Sequence, residues 1–298
     1  MIRPNALQAG DTVAITALAS KIDYDQYVIP AREILESWGL NVVESKSLNE
    51  SFHGFAGPDT RRCEDFQQFL DDPSVKAIFS ARGGYGTTRF LDEINYEAFG
   101  KSPKWIVGFS DITAVLCDVY ALGYESIHGP MPKTFAWDEF SLQSLRKVLF
   151  GESVRYQSPP QAFNRLGQVQ APLIGGNLCL LSHLMGTRSE INTEGCILFM
   201  EDTDEYHYAL DRYLVHLHRA GKLGNLAGLL VGSFSDLKDQ PEDFGSSIYE
   251  IVRYWTDAYD FPIAFDFPVG HEAVNVALPL GRTAELTVTA QETTLAFS

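Results

Sequence analysis

Three side chains of this chain have the types and placement that acyl transfer needs: Ser110, Glu201 and His271. Ser110 stands just beyond the apolar run 105–107 and Gly108, and ahead of a helix-like segment through Ala121. Strand, tight turn, helix is the setting in which a serine is lifted out of a sheet as a nucleophile. The elbow pattern G-x-S-x-G is half met, because Ile112 occupies the second glycine position. Glu201 closes the apolar strand 196–200, and His271 follows the apolar run 262–269. All three therefore sit at the carboxyl ends of strands, where side chains from different elements can converge. In such a set the imidazole takes the hydroxyl proton and later protonates the leaving amine, while the carboxylate fixes the tautomer. The competing reading is three unrelated loop residues, with Ser110 an ordinary turn serine.

The elements that must position these residues alternate. Strands are expected at 11–19, 41–45, 75–80 and 105–107, and helices at 24–40, 59–70 and 87–94. That alternation argues for a doubly wound, mostly parallel sheet, whose ligands bind beyond the carboxyl ends of the strands. Periodicity fades over 137–170, where Pro159 and Pro160 occur, so 1–135 reads as one domain, 136–170 as a connection with a short helix near 142–150, and 171–298 as a second domain. In the second domain, Gly175-Gly176-Asn177 opens a helix through Met185. Strands at 196–202, 226–234 and 262–269 alternate with helices at 205–217 and 248–259. The runs 275–280, 284–290 and 293–297 read as antiparallel strands, making this half mixed α/β.

The loop Arg82-Gly83-Gly84-Tyr85-Gly86-Thr87-Thr88 has neither G-x-G-x-x-G, since Arg89 takes the third glycine position, nor a Walker lysine. A tight turn is one reading of it. Another is a glycine turn beside Ser110 that lends an N–H to an oxyanion hole and sets Arg82 near a substrate carboxylate. Asp111 can cap the helix that follows it. Among the histidines, His128 beside Gly129-Pro130 reads as structural and His183 as a core residue. His207 reads as a helix pair with Asp211, and His216 and His218 face apart. Asn275 stands where H-E-x-x-H needs its second histidine, so no zinc site is expected. Of the acidic run 201–205, Glu201 is expected to be buried and the rest to cap the next helix or meet a cationic group on the substrate.

With Lys+Arg 23 against Asp+Glu 39 the net charge is −16, which argues against nucleic acid or an anionic membrane as partner. No apolar run has the length of a membrane span, and the N-terminus lacks the apolar region of a signal peptide. Cys63, Cys117, Cys179 and Cys196 show no C-x-x-C spacing, so reduced thiols in a cytoplasmic protein are expected.

Taken in order, Ala81-Arg82-Gly83-Gly84-Tyr85-Gly86, Gly108-Phe109-Ser110-Asp111-Ile112-Thr113, His128-Gly129-Pro130-Met131, Gly175-Gly176-Asn177-Leu178, Phe199-Met200-Glu201-Asp202 and Pro268-Val269-Gly270-His271 make a specific set. The chain resembles the LD-carboxypeptidases of serine peptidase family S66, the muramoyltetrapeptide carboxypeptidases. The resemblance implies a class I amidotransferase-like α/β N-terminal domain and a smaller, swivelling C-terminal domain. It implies a Ser110–His271–Glu201 triad, an oxyanion hole from the N–H groups of Gly84 and Asp111, no cofactor or metal, and a homodimer. Arg82 and Tyr85 are the expected substrate contacts. The implied reaction is release of the terminal D-Ala from murein tetrapeptide in cytoplasmic cell-wall recycling. A branch of the family, the microcin C immunity proteins, cleaves acyl-sulfamoyl-adenylates. Phe135, Trp137 and Phe140 are the residues here that would form an aromatic wall for a base, or simply pack. A non-catalytic peptide-binding protein on the same scaffold is the remaining alternative.

Overall fold

The computed structural model describes residues 1–297. Its strands are, in chain order, β1 (Thr12–Thr16), β2 (Asn41–Glu44), β3 (Val75–Ser80), β4 (Trp105–Gly108), β5 (Ser126–His128), β6 (Val154–Ser158), β7 (Gly167–Asn177), β8 (Ile197–Thr203), β9 (Gly228–Ser235), β10 (Ile263–Ala264), β11 (Leu278–Leu280), β12 (Thr283–Val288) and β13 (Thr293–Phe297). The helices are α1 (Ile29–Ser37), α2 (Asp59–Asp71), α3 (Glu97–Lys101), α4 (Thr113–Ala121), α5 (Glu139–Leu149), α6 (Leu178–His183), α7 (His207–Arg219) and α8 (Ile248–Thr256). They belong to two compact units. One is Met1–Glu152 with Val276–Pro279, and the other is Ser153–Asn275 with Leu280–Ser298.

The first unit holds one sheet in the order β11-β5-β4-β3-β1-β2. The pairs β1–β2, β1–β3, β3–β4 and β4–β5 are parallel. A run such as WIVG in β4 is buried at every residue, as a strand covered on both faces must be. The chain winds from β1 to β2 on one side and from β1's other edge to β3, β4 and β5, so the order reverses between β1 and β3. That reversal opens a crevice beyond their carboxyl ends. The loops after β1, β3 and β4 are therefore neighbours, and they carry Ser20, the glycine turn and Ser110.

A buried lysine pins the periphery of this sheet. Lys104, 1% exposed, donates to the carbonyls of Phe69 (2.8 Å), Leu70 (2.9 Å) and Asp72 (2.6 Å), which close the last turn of α2. Burial brings its ammonium down to about 8. The expected helix at 87–94 is instead two short 3₁₀ turns, Thr87–Arg89 and Leu91–Glu93, because Gly86 at φ 131° and an extended Ile94 bound them. The expected helix at 24–40 is a wide turn, Tyr24–Val28, followed by α1 from Ile29.

The second unit holds a mixed sheet, β10-β9-β8-β7-β12-β13-β6. β7 to β10 run parallel, while β12, β13 and β6 extend β7 antiparallel. The run 275–280, read as part of this β-structure, instead contributes β11 to the first sheet. Alternation identifies a strand but not the sheet it joins. Residues 136–152 fall in the first unit, where α5 forms, and 153–170 in the second, where they supply β6 and the start of β7. Only Ile263–Ala264 of the run 262–269 is ladder-paired. The rest follows β9 through Phe267 N–H to Val231 O (3.1 Å) and Ser233 N–H to Val269 O (2.8 Å).

Candidate active site

In the first unit, Ser110 leaves β4 with φ 65°, a left-handed backbone that costs an L-residue roughly 1–2 kcal/mol. A strained serine at a strand-to-helix turn is the geometry that exposes a hydroxyl. The glycine turn packs directly over it. A Cβ added to Gly83 would lie 2.8 Å from Ser110 Cβ, 3.0 Å from its Oγ and 3.3 Å from the Asp111 nitrogen. Any larger residue at Gly83 would collide with Ser110. Gly84, next in the chain, is exposed at φ 110° beside Ser20. Ser20 ties the turn to β1: its N–H donates to Gly83 O (3.3 Å), and its Oγ accepts from Tyr85 N–H (3.3 Å).

Asp111 does not cap the helix that follows. Its Oδ2 accepts from Thr87 N–H over 2.9 Å, joining the Ser110 loop to the glycine loop. Burial holds its carboxyl above the usual range against that donor. Arg62, fully buried, completes the brace with Nη1 to Leu18 O (2.7 Å) and Gly86 O (3.0 Å) and with Nη2 to Asp59. Beyond Asp59, three residues away, the partners of this buried arginine are backbone carbonyls 24 and 44 residues away, which leave no local sequence signal. Tyr85 is 58% exposed and tilts against Phe55 with 6.0 Å between ring centroids. His128 is fully buried, 5.7 Å from the Phe109 ring, as a structural residue would be.

The second unit brings His271 and Glu201 together. His271 Nδ1 lies 2.6 Å from Glu201 Oε2, and Glu201 is 0% exposed. A carboxylate only accepts, so Nδ1 carries the proton and Nε2 is left as a lone-pair base. Glu201 lies within β8 rather than at its end. Opposite it, β9 has an extra residue: Met200 pairs with Val231 and Asp202 with Phe234, so Gly232 and Ser233 face Glu201 alone. Such a bulge re-aims side chains. Here it points Ser233 Oγ at the His271 N–H (3.1 Å). Gly270, at φ 131°, fits because a Cβ there would stand 2.3 Å from Ser233 Oγ and 3.1 Å from Glu201 Oε2. Its N–H donates to Asn275 Oδ1 (3.0 Å), holding the turn that presents His271. Ser20, Arg62, Ser233 and Asn275 were not legible as site residues in the sequence. The only trace of Ser233 was Gly232-Ser233 interrupting an apolar strand.

The acidic run is distributed differently from expectation. Asp202 accepts from Asn177 Nδ2 (2.8 Å), Cys179 N–H (2.9 Å) and Thr203 N–H (2.9 Å), so it serves the start of α6 and not of α7. Asp204 pairs with Lys238 at 2.5 Å, and Glu205 accepts from Tyr213 OH at 3.1 Å. Neither caps a helix. His183, expected in the core, is exposed on the last turn of α6. His207 lies 3.7 Å from Asp239 rather than beside Asp211, which accepts from Trp255 Nε1 (2.7 Å). His216 meets Ser182 Oγ (2.9 Å).

Burial first, and the Glu201 charge second, push Asp202 up to about 7 despite its three N–H donors. An aspartate in the unfolded chain titrates near 4. Between those values the folded state holds the proton more tightly, so stability is fullest below pH ~4 and falls as pH rises toward 7. Thermal melts should show that loss between about pH 4 and 7, and Asp202→Asn should flatten the slope; an unchanged slope in the variant would assign it elsewhere.

Comparison with known proteins matches both halves of the chain. The family model for the LD-carboxypeptidase N-terminal domain covers residues 13–129, and that for the C-terminal domain covers 170–286. The chain is 34% identical over 298 residues to a probable murein peptide carboxypeptidase of Bacillus subtilis, covering 98% of this chain and 93% of the relative. The crystal structure of muramoyltetrapeptide carboxypeptidase from Oxalobacter formigenes is 28% identical, with a TM-score of 0.87 over 96% of this chain and 98% of that one. The microcin C7 self immunity protein MccF, solved with aspartyl sulfamoyl adenosine, shares the fold at 20% identity, with a TM-score of 0.88 over 100% and 99% of the two chains. With both domain models matched in order and a relative at this identity along nearly its whole length, the chain belongs to the LD-carboxypeptidases of peptidase family S66.

Proposed function

We propose that this LD-carboxypeptidase releases the C-terminal D-Ala of a murein tetrapeptide by serine acyl transfer, with Ser110 as nucleophile, His271 as general base and Glu201 as its orienting carboxylate. The observation that carries the reading is the pair of half-sites. One is a strained serine under a glycine turn; the other is a histidine whose tautomer a buried carboxylate fixes. Ser110 Oγ attacks the carbonyl carbon of the L-centre as its proton passes to His271 Nε2. The oxyanion that forms is received by the N–H groups of Gly84 and Asp111, whose loops meet through Gly83. Collapse breaks the C–N bond, and His271 returns the proton to the D-Ala amine. Water then enters with His271 again as base and frees the acyl group from Ser110. No step calls for a metal or cofactor. Arg82 and Tyr85 contact the substrate.

The murein substrate is supported by relatives described as a probable murein peptide carboxypeptidase and a murein tetrapeptide carboxypeptidase. We infer also that the enzyme works in the cytoplasm as a homodimer. Among the described residues no helix is long and apolar enough to cross a membrane. The microcin immunity reading draws on fold alone. Of its three aromatics, Phe135 is buried edge-on against Phe79, with 6.2 Å between ring centroids, and so packs as core. Trp137 and Phe140 are exposed.

The test is D-alanine release from L-Ala-γ-D-Glu-meso-diaminopimelate-D-Ala, with the D,D-pentapeptide and an acyl-sulfamoyl-adenylate alongside. Release from the tetrapeptide only is expected. Cleavage of the adenylate without release from the tetrapeptide would move the substrate to the immunity class, and inertness toward both would favour a binding protein.

A further inference from the structure

Two cations lie on segments that meet at the glycine turn, and among the described residues neither pairs with a carboxylate. In the first unit Arg32, Arg61, Arg62, Arg89 and Arg146 each pair with an acidic side chain. Arg82 does not. Its Nη1 donates to Lys21 O (2.9 Å), its Nε is buried with no hydrogen-bond partner, and its Nη2 lies 3.8 Å from where a Cβ on Gly84 would stand. The guanidinium thus lies alongside the turn whose Gly83 abuts Ser110. The chain at Lys133 is tied to the start of the same loop, its backbone N–H donating to Ala81 O over 3.0 Å. It is half-buried, and among the described residues it forms no ion pair. Burial and then the charge of Arg82 bring its ammonium below the usual lysine range, the response of a cation that lacks an anion. In a chain with 39 acidic residues against 23 basic ones, two neighbouring cations left without a carboxylate mark a place for an anion from outside.

We propose that Lys133, with Arg82, binds the free C-terminal carboxylate of the peptide and so makes the enzyme an exopeptidase. This rests on the peptide-substrate reading above. A carboxypeptidase must tell a terminal carboxylate from the amide of a continuing chain, and both are nearly the same shape. Charge is the difference it can read. A guanidinium and an ammonium flanking one oxygen pair would supply it, each hydrogen bond to a charged group contributing about 1.5–3 kcal/mol, or roughly 10- to 100-fold in affinity.

The experiment uses the full chain carrying Ser110→Ala, so that bound peptide is not consumed. Calorimetry compares the tetrapeptide with its C-terminal amide. The expected result is that the acid binds the parent at least about tenfold more tightly than the amide. Adding Lys133→Met should remove that preference by weakening the acid about tenfold or more while leaving the amide within about twofold, and Lys133→Arg should restore it. Equal losses for acid and amide in Lys133→Met would mean a merely structural lysine and overturn the inference. So would an unchanged acid affinity. If the parent binds neither peptide, the murein reading fails and this inference fails with it; acid binding that ignores Lys133 sinks this inference alone.

Discussion

Ser110→Ala should lower kcat on the tetrapeptide by at least about 10⁴-fold while leaving the fold intact, because removing the nucleophile of a triad removes most of what the triad does. The structure adds a second readout. At φ 65° the native residue is strained, and alanine shares that strain, so Ser110→Ala should melt close to wild type. Ser110→Gly removes the strain of roughly 1–2 kcal/mol, which offsets the entropy that a glycine adds to the unfolded chain. It should therefore be at least as stable as wild type and equally inactive. A serine held in an unfavourable conformation for no catalytic reason would give the stability result without the loss of turnover. Residual activity within tenfold of wild type would remove Ser110 from the mechanism.

Glu201→Gln separates orientation from packing. The side chain keeps its volume in a site closed by Gly232 and Gly270, so no cavity forms. An amide, however, can present N–H to His271 Nδ1, which then accepts, and the proton moves to Nε2, where a base is needed. The expected loss is about 10³–10⁴-fold in kcat. Stability should not fall, since Glu201 Oε1 is buried without a hydrogen-bond partner and a neutral amide costs less to bury than a carboxylate. Removing the Glu201 charge should also lower the pKa of Asp202, shifting the pH dependence of melting toward acid. A Glu201→Gln enzyme within tenfold of wild type, or one that fails to fold, would count against an orienting role.

How far the sequence carried this account differs from residue to residue. Ser110 was legible because an apolar run, a glycine and a helix start are all local signals, and the left-handed backbone follows from that junction. His271 and Glu201 were legible as polar residues that close apolar runs, although Glu201 proves to lie within β8. Their contact was not, because it depends on a bulge in β9 and on the close approach of Gly270, which no periodicity records. Arg62 and Lys104 gave no sequence signal for a related reason. Burying a charge depends on carbonyls at the end of a helix or turn far along the chain. Thr87–Ile94 has helical composition, yet Gly86 at φ 131° fixes the entry, and the segment collapses into two tight turns. Leu278–Leu280 shows the limit of alternation, which gives a strand its faces but not its partner.

The central claim is that an acyl group rests on Ser110 during turnover, and rapid-quench mass spectrometry of the enzyme mixed with tetrapeptide addresses it most directly. The account predicts added mass equal to the tetrapeptide without its D-Ala, less one water, mapping to the peptide that contains Ser110 and absent in Ser110→Ala. D-alanine release with no adduct in any sample and undiminished in Ser110→Ala, or an adduct that maps to another residue, would contradict it.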